Sequence, residues 1–148
     1  MVDLSLFEDL VSLDHGLSVV VTRRADKSPQ ATVVNAGVLS HPLSGERVVG
    51  FVSAGRSRRL GYLRADPTTA VTIRAGWQWA TIEGAAQLIG PDDPHPEVDS
   101  ERLRLLLREI FTAAGGTHDD WDTYDRVMRE ERRVAVYVTP TRGYSNPG

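Results

Sequence analysis

Arg56, Arg58 and Arg59 follow the apolar run Val48-Val-Gly-Phe-Val52 and precede Leu60 and Leu63. The segment Ser53-Ala-Gly-Arg-Ser-Arg-Arg-Leu-Gly-Tyr-Leu-Arg-Ala-Asp-Pro67 predicts a strand end feeding a short helix, with Ser57 as N-cap and Pro67 just past its end. The arginines then crowd a helix N-terminus, where the macrodipole is already positive and each cation costs roughly 0.3–1 kcal/mol. An anion resting on them removes that cost, and free N–H groups at a helix start already favour a phosphate. A solvated patch of long side chains is the plain alternative. Helical geometry favours the anion site: Leu60 and Leu63 share the buried face, Arg58 points away from it and Arg59 lies at its edge. Gly55, beside Arg56, permits close approach of a ligand to the backbone.

The rest of the chain narrows that anion. The sequence has 148 residues, 41% of them hydrophobic and 25% charged, with a formal net charge of −3. A single domain spanning residues 1–148 is expected. The sequence pI near 5.8 argues against nucleic-acid binding, which calls for a basic domain. A local basic cluster in an acidic background suits a small anionic ligand. With no cysteine, disulfides, thiolate metal sites and a Cys nucleophile are excluded. No apolar run has the length of a membrane span, and the first residues lack a signal pattern, so a cytoplasmic protein is expected.

Other chemistry is thinly signposted. His15, His41, His95 and His118 are scattered without ligand spacing and are expected in exposed turns. No Gly-x-Ser-x-Gly elbow is present, and no metal site is expected. Glu83 is best read as a strand carboxylate paired with an arginine. This lack of acid–base machinery fits an enzyme whose cofactor does the chemistry while the protein binds and orients it.

The positioning elements read as mostly β. A short helix over 4–13 precedes strands over 17–22, 30–39 and 48–53, joined by polar turns. Two further strands, 69–74 and 77–89, follow the arginine helix. In the second of these Ala80, Ile82, Gly84, Ala86 and Leu88 alternate with Trp79, Thr81, Glu83, Ala85 and Gln87, which places the first set on the core face. Trp77 and Trp79 fall opposite, against a partner subunit or flat ring, or else in a second core under the C-terminal helices. Helices are expected over 100–114 and from Asp119 onward, with a last strand over 133–139 and a tail from Pro140. About six antiparallel strands with interspersed helices predict an α+β fold built on a closed or nearly closed β-barrel.

With these elements in order, the run Ser57-Arg58-Arg59, the helix end Leu63-Arg-Ala-Asp-Pro67 and the later Ile82-Glu83-Gly84 resemble the pyridoxamine 5′-phosphate oxidase-like superfamily. Arg59 stands where that family usually carries lysine. The C-terminal pattern Trp121-Asp-x-Tyr-Asp-Arg126, Glu130-Glu-Arg-Arg133 and Pro140-Thr-Arg-Gly-Tyr-Ser-Asn146 is similar to an actinobacterial branch described as F420-dependent. The resemblance implies a split β-barrel, a homodimer, and flavin or deazaflavin bound at the subunit interface.

By position it also implies that Arg58 and Arg59 hold the cofactor phosphate, with Ser57 and Arg56 assisting. Ser53 and Ala54 would lie beside the ring, and Asn35 would offer it or the substrate a polar contact. Trp79 stands near a flavin-contacting glutamine of the true oxidases, a departure that argues against pyridoxamine phosphate oxidation. The expected activity is hydride transfer between coenzyme F420 and a small electron-poor substrate. An FMN-binding oxidase or flavin reductase and a non-catalytic cofactor carrier are the alternatives.

Overall fold

A computed structural model describes residues 2–147. Strands β1 (Leu17–Arg23), β2 (Pro29–Ser40), β3 (Arg47–Ser53), β4 (Thr68–Ala75), β5 (Gln78–Ile89) and β6 (Val134–Ser145) are joined antiparallel. They close into a six-stranded barrel in the order β1-β2-β3-β6-β5-β4. Four helices decorate it: α1 (Ser5–Val11), α2 (Arg58–Ala65), α3 (Ser100–Ala113) and α4 (Trp121–Glu130).

Alternation decides which side chains fill the barrel. Val20, Val34, Phe51, Val71, Ile73, Ala80, Ile82 and Val136 meet inside it, joined by Phe7 and Leu10 of α1 and by Leu60 and Leu63 of α2. Ala86 and Leu88 pack against the same core, as the period of two in β5 predicts. Outside the barrel, Leu107 and Ile110 of α3 and Tyr124 of α4 lie on Val48, Ala135 and Tyr137. Gly37 and Gly50 keep that outer surface flat. A Cβ on Gly37 would stand 2.4 Å from the Ala113 carbonyl, and one on Gly50 would stand 2.8 Å from Leu39.

Several expectations change. The last strand does not stop at Thr139; it runs to Ser145 and carries Pro140 inside it. Pro140 is tolerated because β5 and β6 shift register at Glu83/Gly84, where the ladder is already interrupted. His41 is buried, not exposed. Its Nδ1 accepts the N–H groups of Leu43 and Ser44, and its Nε2 lies 2.6 Å from Gln87 Oε1. Trp77 belongs to the β4–β5 turn and is 93% exposed. The second core forms as one option anticipated, but its tryptophan is Trp121.

A charged clamp joins α3 to α4. Asp125 accepts hydrogen bonds from Arg108 Nε and Arg104 Nη1, both at 2.9 Å. Its carboxyl is held below the ordinary range, chiefly by Arg108, whose hydrogen bonds outweigh the opposing desolvation. A depressed folded-state pKa means the clamp is fully stabilising above the unfolded value and is lost as pH falls through the folded one. The melting temperature is therefore expected to drop below about pH 4, and less steeply in Asp125→Asn. Circular-dichroism melts on the two proteins check this; parallel curves would remove Asp125 as a cause.

Candidate functional site

Helix α2 begins where the sequence places it. Ser57 holds the extended N-cap position, but its side chain makes no capping hydrogen bond. The first turn contains no acid, so the dipole end carries only Arg58 and Arg59. Leu60 and Leu63 anchor the opposite face in the barrel, which leaves Arg58 exposed and Arg59 half-buried.

Arg59 is the most constrained of the three arginines. Its Nη1 donates to Ser53 Oγ at 2.8 Å and its Nε to Thr32 Oγ1 at 3.0 Å. Both acceptors are neutral hydroxyls. Among the described residues no carboxylate pairs with Arg56, Arg58 or Arg59, whereas Arg23, Arg47, Arg64, Arg104, Arg108 and Arg132 each have one. Burial, and then the nearby charge of Arg133, push the Arg59 guanidinium below its ordinary pKa. It remains cationic at neutral pH, but in a setting that disfavours its charge.

Arg133 connects this cation to a cleft of about 760 Å³ between the outer barrel face and the C-terminal helices. Asn35 of β2 and Val52 of β3 form one wall, Ile110 and Phe111 of α3 another, and His118, Tyr124 and Arg133 the remainder. Phe111, His118 and Tyr124 make its aromatic side, and with Trp121 behind them they form a cluster whose ring centres all lie within about 6 Å of one another. Such a volume accommodates a drug-sized planar molecule, and aromatic walls favour its ring. The Tyr124 hydroxyl donates to the Leu107 carbonyl, and burial pushes its pKa up to about 12.

No protein-family model matches the sequence. Solved structures do match its fold. An F420 reductase superposes with a TM-score of 0.61 at 15% identity, over 93% of this chain and 94% of that one. A conserved hypothetical protein of Mycobacterium tuberculosis gives 0.66 at 18%, over 98% and 84%. A Clostridium acetobutylicum protein related to general stress protein 26, of the pyridoxinephosphate oxidase family, gives 0.60 at 11%, over 97% and 89%. The fold is a split β-barrel.

Within this split barrel the residues singled out by sequence separate into two groups. Ser53 and Arg59 are in direct contact, Ala54 adjoins Ser53, and Ser57 and Arg58 open the same helix. Arg56 is exposed beside them. Asn35 lines the cleft, its Nδ2 donating to the His15 carbonyl at 2.8 Å. Trp79 is elsewhere. Ser53 pairs with Val134 at the start of β6, whereas Ala80, next to Trp79, pairs with Ser145 at its end. A strand of 12 residues spans roughly 40 Å. In one chain, then, Trp79 packs edge-on against Tyr144 and does not reach the arginines.

One sequence reading needs amendment. Gly55 is small for the chain's own sake: a Cβ there would stand 2.5 Å from the Arg132 carbonyl. Glu83 pairs with an arginine as expected, Arg142 at 3.8 Å, and also accepts a hydrogen bond from the Tyr144 hydroxyl at 2.6 Å. Thr32, Arg133 and the Phe111–Tyr124 aromatic wall were not among the expected site residues. Arg133 and Tyr124 lie in the C-terminal pattern quoted above, but nothing local gives them a place at the site; Arg133 joins Arg59 only because the turn after α4 folds back onto the β3–α2 loop.

Proposed function

We propose that this protein is an oxidoreductase that binds a phosphate-bearing flavin-like cofactor, F420 in the first instance, and presents it to a small electron-poor substrate. The observation that carries the reading is Arg59, a half-buried guanidinium without a carboxylate, beside Arg133 at the margin of a ring-sized cleft. A bidentate anion would satisfy its remaining N–H donors and offset the repulsion between the two arginines. The arginine-for-phosphate chemistry, the aromatic wall and the cleft volume all fit such a group, and so do the split-barrel neighbours.

In this reading Arg59 and Arg133 hold the phosphate, with Ser53 and Thr32 orienting the Arg59 guanidinium. Arg58 and Arg56 remain free for further negative charge, which favours F420, with its acidic tail, over FMN. Asn35 and Val52 form the floor for the ring, and α3 with α4 shields it from water. When bound, the reduced ring supplies the hydride that the protein itself cannot.

Side-by-side fluorescence titrations with F420 and FMN test the reading. Tighter binding of F420 is expected, followed by turnover of a quinone or enone acceptor with reduced F420. Far tighter binding of FMN would make this an FMN-dependent oxidase or flavin reductase. Binding without turnover would leave a carrier.

We also propose a homodimer formed through the barrel face that no helix covers. There Val33 of β2 pairs with Val19 of β1, which pairs with the half-buried Thr72 of β4. Val33 is 61% exposed and neighbours Leu17 and Val19, themselves exposed. An uncovered β-branched surface of this kind suits a second copy. Val33→Arg is expected to give a monomer by light scattering while retaining the fold, and an unchanged mass would reject this face.

A further inference from the structure

Arg59 and Arg133 repel each other, and the barrel ladder brings them together only at its end, where Ser53, the acceptor of Arg59, pairs with Val134 beside Arg133. The loop after β5 adds a second fastening. Gly90 and Asp93 exchange backbone hydrogen bonds at 3.0 and 3.1 Å, which makes a tight turn around Pro91 and Asp92. Asp93 receives Arg64 of α2 bidentately, with both N–O distances at 2.8 Å. Asp92 receives Arg132 in the same manner, at 2.6 and 3.2 Å. Arg64 belongs to the helix that carries Arg59, and Arg132 is the neighbour of Arg133. The two adjacent aspartates therefore tie the carriers of both candidate anion-binding arginines to one turn.

Other contacts converge there. Gly55 N donates to the Glu131 carbonyl at 3.1 Å, so the β3–α2 loop rests on the same α4–β6 turn. Arg132 adopts a positive φ of 49°, a conformation that costs a side-chain-bearing residue free energy and persists where its surroundings demand it. Arg133 is partly balanced by Glu131 at 2.6 Å, but among the described residues Arg59 has no such partner.

We propose that Asp92 and Asp93 are positioning residues for the anion site, holding Arg59 and Arg133 close together so that a phosphate finds them preorganised. This rests on the anion-site reading above. Arg64 and Arg132 each give two N–H groups to an aspartate and do not themselves need to touch the ligand. Their planar forks, each bound through two N–H groups, fix orientation as well as distance, which a single lysine contact would not do.

The test is a set of F420 and FMN titrations on the intact protein, with thermal melts on the same samples without ligand. Asp93→Asn is expected to weaken binding about five- to tenfold, the cost of losing preorganisation. Asp92→Asn, at the more exposed pair, is expected to act in the same direction and serves if Asp93→Asn fails to fold. The deciding measurement is repetition of the aspartate change in an Arg133→Ala background. Without the repelling partner the effect of Asp93→Asn, or of Asp92→Asn in its place, should shrink to within about twofold, whereas a merely structural role would persist unchanged. An Asp93→Asn protein (or Asp92→Asn, if that is the variant in hand) with wild-type affinity overturns the proposal if Arg59→Ala still loses binding. If Arg59→Ala also binds normally, the anion site itself is wrong, and this inference falls with it.

Discussion

Arg59→Ala is expected to weaken binding of F420 or FMN by about 1.5–3 kcal/mol, the range for a hydrogen bond to a charged group. The variant loses a guanidinium whose only partners among the described residues are the hydroxyls of Ser53 and Thr32. No buried carboxylate is orphaned by the change. Removing Arg59 also relieves its repulsion with Arg133, so the unliganded protein should melt no lower than wild type. Affinity falling while unliganded stability holds or rises is the signature of a residue kept for its ligand. Titration and differential scanning calorimetry on one preparation measure both quantities. Unchanged affinity would remove Arg59 from the site, and a large loss of stability would make it structural.

Gly37→Ala is expected to cost about 3 kcal/mol of stability, the upper end for forcing an extra carbon into a packed contact. Its Cβ would stand 2.4 Å from the carbonyl carbon and oxygen of Ala113 and 2.6 Å from Ala114 N. These are backbone atoms and cannot rotate aside, so the C-terminal end of α3 must lift from β2. Ala114, Gly115 and Gly116, immediately beyond, line the cleft, and their movement should weaken ligand binding as well. Gly61 on α2 provides the contrast, since a Cβ there meets open space. A urea midpoint within error of wild type would show that α3 adjusts without penalty.

Much of the barrel was legible because its signals are local. The alternation from Gln78 to Leu88 identified the core face of β5, and Leu60 with Leu63 placed α2 with Arg59 at the edge of its buried face. The dipole argument marked Arg56, Arg58 and Arg59 together, and of these Arg59 is the one that is half-buried. Features that depend on distant segments meeting were not legible. Pro140 reads as a strand breaker until the register shift at Glu83/Gly84 is known. Gly55 reads as a ligand-contact glycine until the Arg132 carbonyl is seen against it. Trp79 lies within the alternating pattern, but its distance from Ser53 depends on the pairing of β6 with both β3 and β5. Neither Arg133, although it falls in the C-terminal pattern, nor Thr32 could be given a role from sequence, because each acts through a neighbour far along the chain.

Strand β6 has a kinetic consequence as the keystone between β3 and β5. Val49 pairs with Val138 and Ile82 with Gly143, contacts between segments widely separated in sequence. Until Val134–Ser145 arrives, β3 and β5 both present open edges and the barrel cannot close. The entropy of joining such distant segments is spent before any of the ladder repays it, so folding should be slow for a chain of this size. During synthesis the preceding strands must wait with two unpaired edges, a template for association with other nascent chains. The fold that ends with no free sheet edge thus passes through its most aggregation-prone form just before its final strand is in place.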